Sequence, residues 1–221
     1  HPTDGDERPA VCAECSSTKF RRVKLGVAGV AEELGRLARR PVIEVSSTTG
    51  ALPTEADLYI GTEAVLHRVE SADAVVFLDF DQELLAPRYR AAEEAMTLLV
   101  QASRLVGSRD GGGRILVQTR MPQHPVLQAA INADPGSLAR TELEVRRELR
   151  QPPESHWAII SGAAADEFIR RVGHPDALEI LASSENRWRV RCDDRQHLVD
   201  HLRGVDRPSG RLRIEINPLR A

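Results

Sequence analysis

LLAPRYRAAEEAMTLLVQASRLVGSRDGGGRILVQTRMPQHPVLQ, residues 84–128, is the stretch on which the fold turns. Ala91, Ala95, Leu98, Leu99, Ala102, Leu105 and Val106 recur at three- and four-residue spacing, which lays one apolar stripe along a 3.6-period helix. Pro87 stands just ahead, where a missing N–H costs nothing. Gly107 and the run Gly111, Gly112 and Gly113 stop the helix and turn the chain. Ile115, Leu116 and Val117 follow as a short, wholly apolar strand of the kind buried between two helix layers. Strand, helix, turn and strand in this order predict a parallel α/β sheet with helices on both faces.

The totals bound what surrounds it. A chain of 221 residues suffices for one large or two small domains. Aromatics are 4% of the chain, so the core is built from Ala, Val, Leu and Ile. No apolar run approaches the roughly 20 residues of a membrane span, and no signal peptide opens the sequence. A net charge of −3 argues against a broad nucleic-acid-coating surface and leaves local basic faces open. Three cysteines at irregular spacing do not make a disulfide framework, which points to a reducing cytoplasm. The chain starts at His1 and enters through a polar run over residues 3–8, and it reads as a piece of a longer protein.

Cys12 and Cys15, in CAEC, are the first feature with chemistry. Two thiolates at this spacing can hold one side of a tetrahedral Zn²⁺, whose structural sites need four ligands. No second CxxC follows, and the spacing by itself equally fits a redox pair or a plain surface turn. Residues 20–24 read as a strand and 27–40 as a helix. Strands follow at 41–45, at 57–60, ending on Gly61 and Thr62, and at 74–78, ending on Asp79 and Asp81. Ligands of open α/β sheets sit beyond the carboxyl ends of strands, so these ends are the positions to watch. The plainer reading of the acidic pair is that it caps a loop.

Residues 122–131 and 136–150 read as two helices. The second alternates Leu138, Leu143 and Leu149 with Glu142, Glu144, Arg146, Arg147, Glu148 and Arg150, the pattern of a solvated face laced with opposite charges. Pro152 and Pro153 end it. From there the order is strand 156–161, helix 164–172, strands 178–182 and 187–192, helix 196–203 and strand 211–216. This βαββαβ order predicts a ferredoxin-like two-layer unit. Trp188, Val190 and Cys192 alternate against Arg187, Arg189 and Arg191, as Leu212, Ile214 and Ile216 do against Arg211 and Arg213. With both strands in one sheet, an open face would carry five arginines, fit for phosphates or acidic peptide, or simply kept in water. RNA-recognition modules share this order but stack bases on aromatics of that face, whereas Trp188 alternates inward. His197 and His201 lie four apart without the glutamate a zinc protease needs, so they read as a helix-face pair. No phosphate-binding P-loop motif occurs, so this chain alone is not a complete NTPase.

Taken together the segments resemble the C-terminal half of the PriA family of primosomal replication-restart DNA helicases (primosomal protein N′). That family carries a final CPxCGS pair, a GTERxEEEL helix, a DxLIGTQM strand end and a LPDFRAAERxxQLLxQVAGRAGR helix. A GxVxIQTxxPxHPVIQ strand, an ELxxRRxxxxPP turn and a DxDP ending follow. Here stand CAECSS (12–17), GVAGVAEEL (26–34), DLYIGTE (57–63), LAPRYRAAEE (85–94), GRILVQTRMPQHPVLQ (113–128), ELEVRR (142–147) with Pro152 and Pro153, and IEINP (214–218).

The resemblance implies a RecA-like second helicase lobe over 20–122, the end of a zinc-binding segment over 1–19, a helical linker over 123–153 and a βαββαβ domain over 154–221. It implies zinc on Cys12 and Cys15 with an upstream pair and ATP in the full-length protein, while the strand end at Gly61 and Thr62 and the alternating face of Arg187, Arg189 and Arg191 are the expected nucleotide or DNA contacts. It also implies forked or single-stranded DNA and other primosome proteins as partners. The acidic tail of single-stranded-DNA-binding protein would dock near Arg146 and Arg147. The departures matter as much. GTER has become GVAG at 26–29, and VLHRVESA at 65–72 replaces IAKGHDFP. The family's arginines that reach the γ-phosphate fall four and seven residues after Gln101, where Leu105 and Ser108 stand, and Arg104 and Arg109 are each one residue off. One residue turns a helical side chain by about 100°. An arginine finger supplies a factor on the order of 10³ or more in phosphoryl transfer, so a DNA-binding restart protein without helicase activity is expected. The alternative is an active ATP-dependent 3′→5′ helicase whose finger has shifted to Arg104 or Arg109.

Overall fold

The computed structural model describes residues 26–53, 56–108 and 111–219. The chain divides into two compact units, His1–Glu70 and Ser71–Ala221. In the first, α1 (Val27–Ala38) precedes β1 (Ile43–Val45), and β2 (Tyr59–Gly61) runs parallel to β1 before α2 (Ala64–Arg68). α1 stops where Arg39 takes a left-handed conformation at φ 53°. Gly61 pairs with Val45, and a Cβ there would stand 2.1 Å from the Val45 carbonyl oxygen and 2.8 Å from Val65. Close approach of strand and helix therefore demands glycine at this position. The strand expected over 20–24 lies outside the described residues, as do Cys12, Cys15 and Arg109.

The second unit begins with β3 (Ala74–Phe77), α3 (Asp81–Leu84), α4 (Ala91–Val106) and β4 (Arg114–Val117), with β3 and β4 parallel. α4 buries Ala91, Ala95, Leu99 and Ala102 of the expected stripe, and Met96 beside it. α5 (Pro125–Ile131) and α6 (Pro135–Glu148) join it in a core with Phe80, Leu84, Val126, Leu127 and Leu138, against which Phe77, Ile115 and Val117 pack. Val76 and Leu116 on the opposite side of the strand pair are 52% and 55% exposed. Among the described residues, helices thus cover one face of this pair rather than both. Asp81 accepts hydrogen bonds from the Thr119 hydroxyl and, at 3.0 Å, from the Arg120 N–H, so this carboxylate ties the end of β3 to the chain leaving β4. It caps a loop.

The remainder is β5 (His156–Ser161), α7 (Ala165–Val172), β6 (Glu179–Ser184), β7 (Arg187–Cys192), α8 (Arg195–Gly204) and β8 (Arg213–Ile216). The strands form one antiparallel sheet in the order β6-β7-β5-β8, as the βαββαβ reading expects. Ala158 and Ile160 of β5 and Val190 and Cys192 of β7 face α7 and α8 in a common core. Asp194 caps α8 by accepting the N–H groups of Gln196 and His197, which hold its carboxyl below the usual range. His197 and His201 stack along that helix with ring centroids 6.3 Å apart. The architecture is mixed α/β with parallel and antiparallel sheets, and no helix among the described residues is long and apolar enough to cross a membrane.

Candidate nucleic-acid interface

The arginine row of β7 occupies the sheet face away from α7 and α8. The register sets Arg191 opposite Trp157, Arg189 opposite Ile159 and Arg187 opposite Ser161, so all six side chains share that face. Its centre is not open. Trp157 and Ile159 are 4% and 1% exposed because the turn before α4 lies over β5. Tyr89 reaches across, its ring 5.1 Å from that of Trp157 and its hydroxyl donating to the Pro218 carbonyl at 3.1 Å. An aromatic therefore does sit on the arginine face, contrary to the expectation drawn from Trp188, and its burial is what withholds it from base stacking.

The arginines differ in what they meet. Arg191 pairs with Glu179 of β6. Arg213 of β8 pairs with Glu215 at 2.8 Å. Arg189 has no acidic partner among the described residues; its guanidinium lies 4.4 Å from the Trp157 ring centre. Burial holds that guanidinium below its ordinary pKa, and the like charges of Arg187 and Arg191 push the same way. An uncompensated cation under such stress favours any anion that arrives.

Arg146 and Arg147, adjacent on α6, separate sharply. Arg146 is 7% exposed. Its Nη2 contacts Glu93 of α4 at 2.7 Å and Glu142 at 3.9 Å and donates to the Tyr89 carbonyl, while the guanidinium lies 5.3 Å from the Tyr89 ring centre. The solvated face expected for α6 thus hides one of its charges. Arg147 has a side chain 69% exposed and a loose 3.8 Å contact with Glu154, so it is the member of the pair left to meet a partner. Arg88 pairs with Glu83 and Glu94, and Arg90 with Glu93, so the acidic residues of the YRAAEE segment are absorbed by the fold. Desolvation raises the pKa of Glu142, with Arg146 opposing the rise. Because the folded state then holds that proton more tightly, its contribution to stability falls as pH rises through the raised pKa.

Among the remaining candidates, Gln101 lies along α4 with its side-chain oxygen buried and unpartnered, and Arg104 is exposed in the last turn of α4 with no ion pair among the described residues. Thr62 is exposed just beyond the carboxyl end of β2, and its carbonyl accepts the Val65 N–H at 3.1 Å. No group of three or more His, Cys, Asp or Glu among the described residues could hold a metal ion.

No protein-family model matches the chain. It is 33% identical over 208 residues, 90% of its length, to the probable replication restart protein PriA of Mycobacterium leprae. It is 29% identical over 69% of its length to replication restart protein PriA of Bacillus subtilis, and 25% over 71% to that of Haemophilus influenzae. The chain spans 29%, 21% and 23% of the lengths of these relatives. These matches place this mixed α/β chain among the homologues of the replication restart proteins. The relative in each case is PriA, and the coverage is consistent with its C-terminal region.

Proposed function

We propose that this chain is the DNA-binding and partner-recruiting region of a cytoplasmic replication restart protein that holds forked or single-stranded DNA without driving its unwinding. The observation that carries the reading is the shared face of Arg187, Arg189 and Arg191, with Arg189 lacking an acidic partner among the described residues. Phosphate contacts release counterions, and each contact adds about 0.7–0.9 to the slope of log affinity against log salt. Replacing Arg187, Arg189 and Arg191 with glutamine should flatten that slope by about 2, with Arg191 contributing least because Glu179 already holds it. An unaltered slope would leave the three as solvent-facing charge. Gly61, the last residue of β2, and Thr62 just beyond it fit nucleotide or DNA contact by their place at the carboxyl end of the strand.

The acidic tail of single-stranded-DNA-binding protein, as one primosome partner, would dock through Arg147, since Arg146 is spent on Glu93. Arg147→Glu should weaken tail-peptide binding about tenfold, by loss of one charge-assisted contact and gain of repulsion; unchanged affinity would refute the docking. Zinc would be held by Cys12 and Cys15 with two ligands from elsewhere in the full-length protein, a claim that metal analysis with and without those cysteines decides. One observation favours the rival reading of a working ATP-dependent helicase: Arg104 is exposed and without an ion pair among the described residues, so it is available to act as a finger.

A further inference from the structure

A cavity of about 320 Å³ opens where the turn before α4 meets the β5–β7 face. Arg88 and Tyr89 line it from the turn, together with Ala86 and Pro87; Gln151 lines it from the segment after α6, and Trp157 and Arg189 from the sheet. No carboxylate is among the lining residues. Three of the lining side chains carry buried N–H groups with no hydrogen-bond partner: Arg88 Nε, Trp157 Nε1 and Arg189 Nε. Such groups are costly when left unmatched, and all three belong to residues that line this one cavity.

The charge balance agrees. The terminal nitrogens of Arg88 are held by Glu83 and Glu94, so Arg88 brings no free positive charge to the cavity. Arg189 does bring a free positive charge, because its guanidinium has no ion pair among the described residues and lies over the Trp157 ring. The three N–H groups belong to a turn, to β5 and to β7. Donors spread over three segments can meet the divergent oxygens of a tetrahedral oxyanion, whereas the two acceptors of a carboxylate lie in one plane.

We propose that this cavity is a phosphate-binding site, with Arg189 as its charged ligand and Trp157 Nε1 and Arg88 Nε as supporting donors, and that the phosphate it takes is one of the backbone of a single DNA strand. The source of the phosphate rests on the DNA-binding reading above; the oxyanion site does not. Inorganic phosphate is titrated into the 221-residue chain by calorimetry at constant ionic strength, with chloride as the reference. Saturable binding is expected, weakened about tenfold or more in Arg189→Gln, as for loss of a charge-assisted pair. It should be unchanged in Arg203→Gln, an exposed arginine of α8 outside the cavity. Arg189→Lys keeps the charge without the planar fork, so it should fold as the parent does and still bind phosphate less tightly. A response no greater than that of chloride, or equal losses in Arg189→Gln and Arg203→Gln, overturns the site. In a second arm, phosphate should compete with a single-stranded oligonucleotide, and Arg189→Gln should lower oligonucleotide affinity. Phosphate binding through Arg189 with unaltered oligonucleotide affinity keeps the oxyanion site and overturns DNA as its source.

Discussion

Arg146→Ala lowers the stability of the second unit by about 3 kcal/mol, the lower end of the range for breaking a buried ion pair. The side chain of Arg146 is 8% exposed and that of Glu93 is 34%, so the glutamate left behind recovers some hydration and the full penalty is not reached. Glu93 keeps its contact with Arg90, and what loses its partner is the carboxylate of Glu142 and the carbonyl of Tyr89. For a unit of this size the deficit corresponds to a fall in Tm of roughly 6–12 °C, read by thermal melting of the chain. Arg147→Ala, one residue on and in water, should stay within about 0.5 kcal/mol of the parent. The deficit in Arg146→Ala should also shrink as pH falls, because loss of the guanidinium lets the Glu142 pKa rise further and protonation then relieves the site. Equal, small effects at both arginines would show that the Glu93 contact does not hold α6 to α4.

That contrast shows where the sequence was legible. Periodicity located α4 because its apolar positions repeat within one element, and Ala91, Ala95, Leu99 and Ala102 are buried as the stripe requires. The bounds of β5 and β7 held to the residue, those of β7 marked by its alternating arginines. Arg146 could not be distinguished from Arg147 in this way, since its burial depends on Glu93 and Tyr89, which the fold brings from a distant segment. The same holds for Trp157: strand alternation gives its side of the sheet, and only the turn carrying Tyr89 decides that this side is covered. α2 and α3 are five and four residues long, too short for a period, although Phe80 and Leu84 at i and i+4 do mark the second. The cavity lined by Arg189 had no signal of its own, because its donors come from three separate stretches.

The largest effect concerns hydrolysis. With Leu105 and Ser108 at the two places where the family resemblance expects γ-phosphate arginines, DNA-stimulated ATP turnover by the full-length protein should lie about 10³-fold or more below that of a helicase with its finger intact. Leu105 is half-buried against the rest of the second unit, so it is not replaced by a neighbouring side chain without turning the helix end. Installing arginine at both positions, Leu105→Arg with Ser108→Arg, should raise turnover if the missing groups alone are the cause. The deciding measurement is steady-state ATP hydrolysis by the full-length protein at saturating forked DNA. Tight fork binding with turnover near background is the expected result. Robust DNA-stimulated turnover, abolished by Arg104→Ala or Arg109→Ala, would contradict it and make the chain part of a working motor.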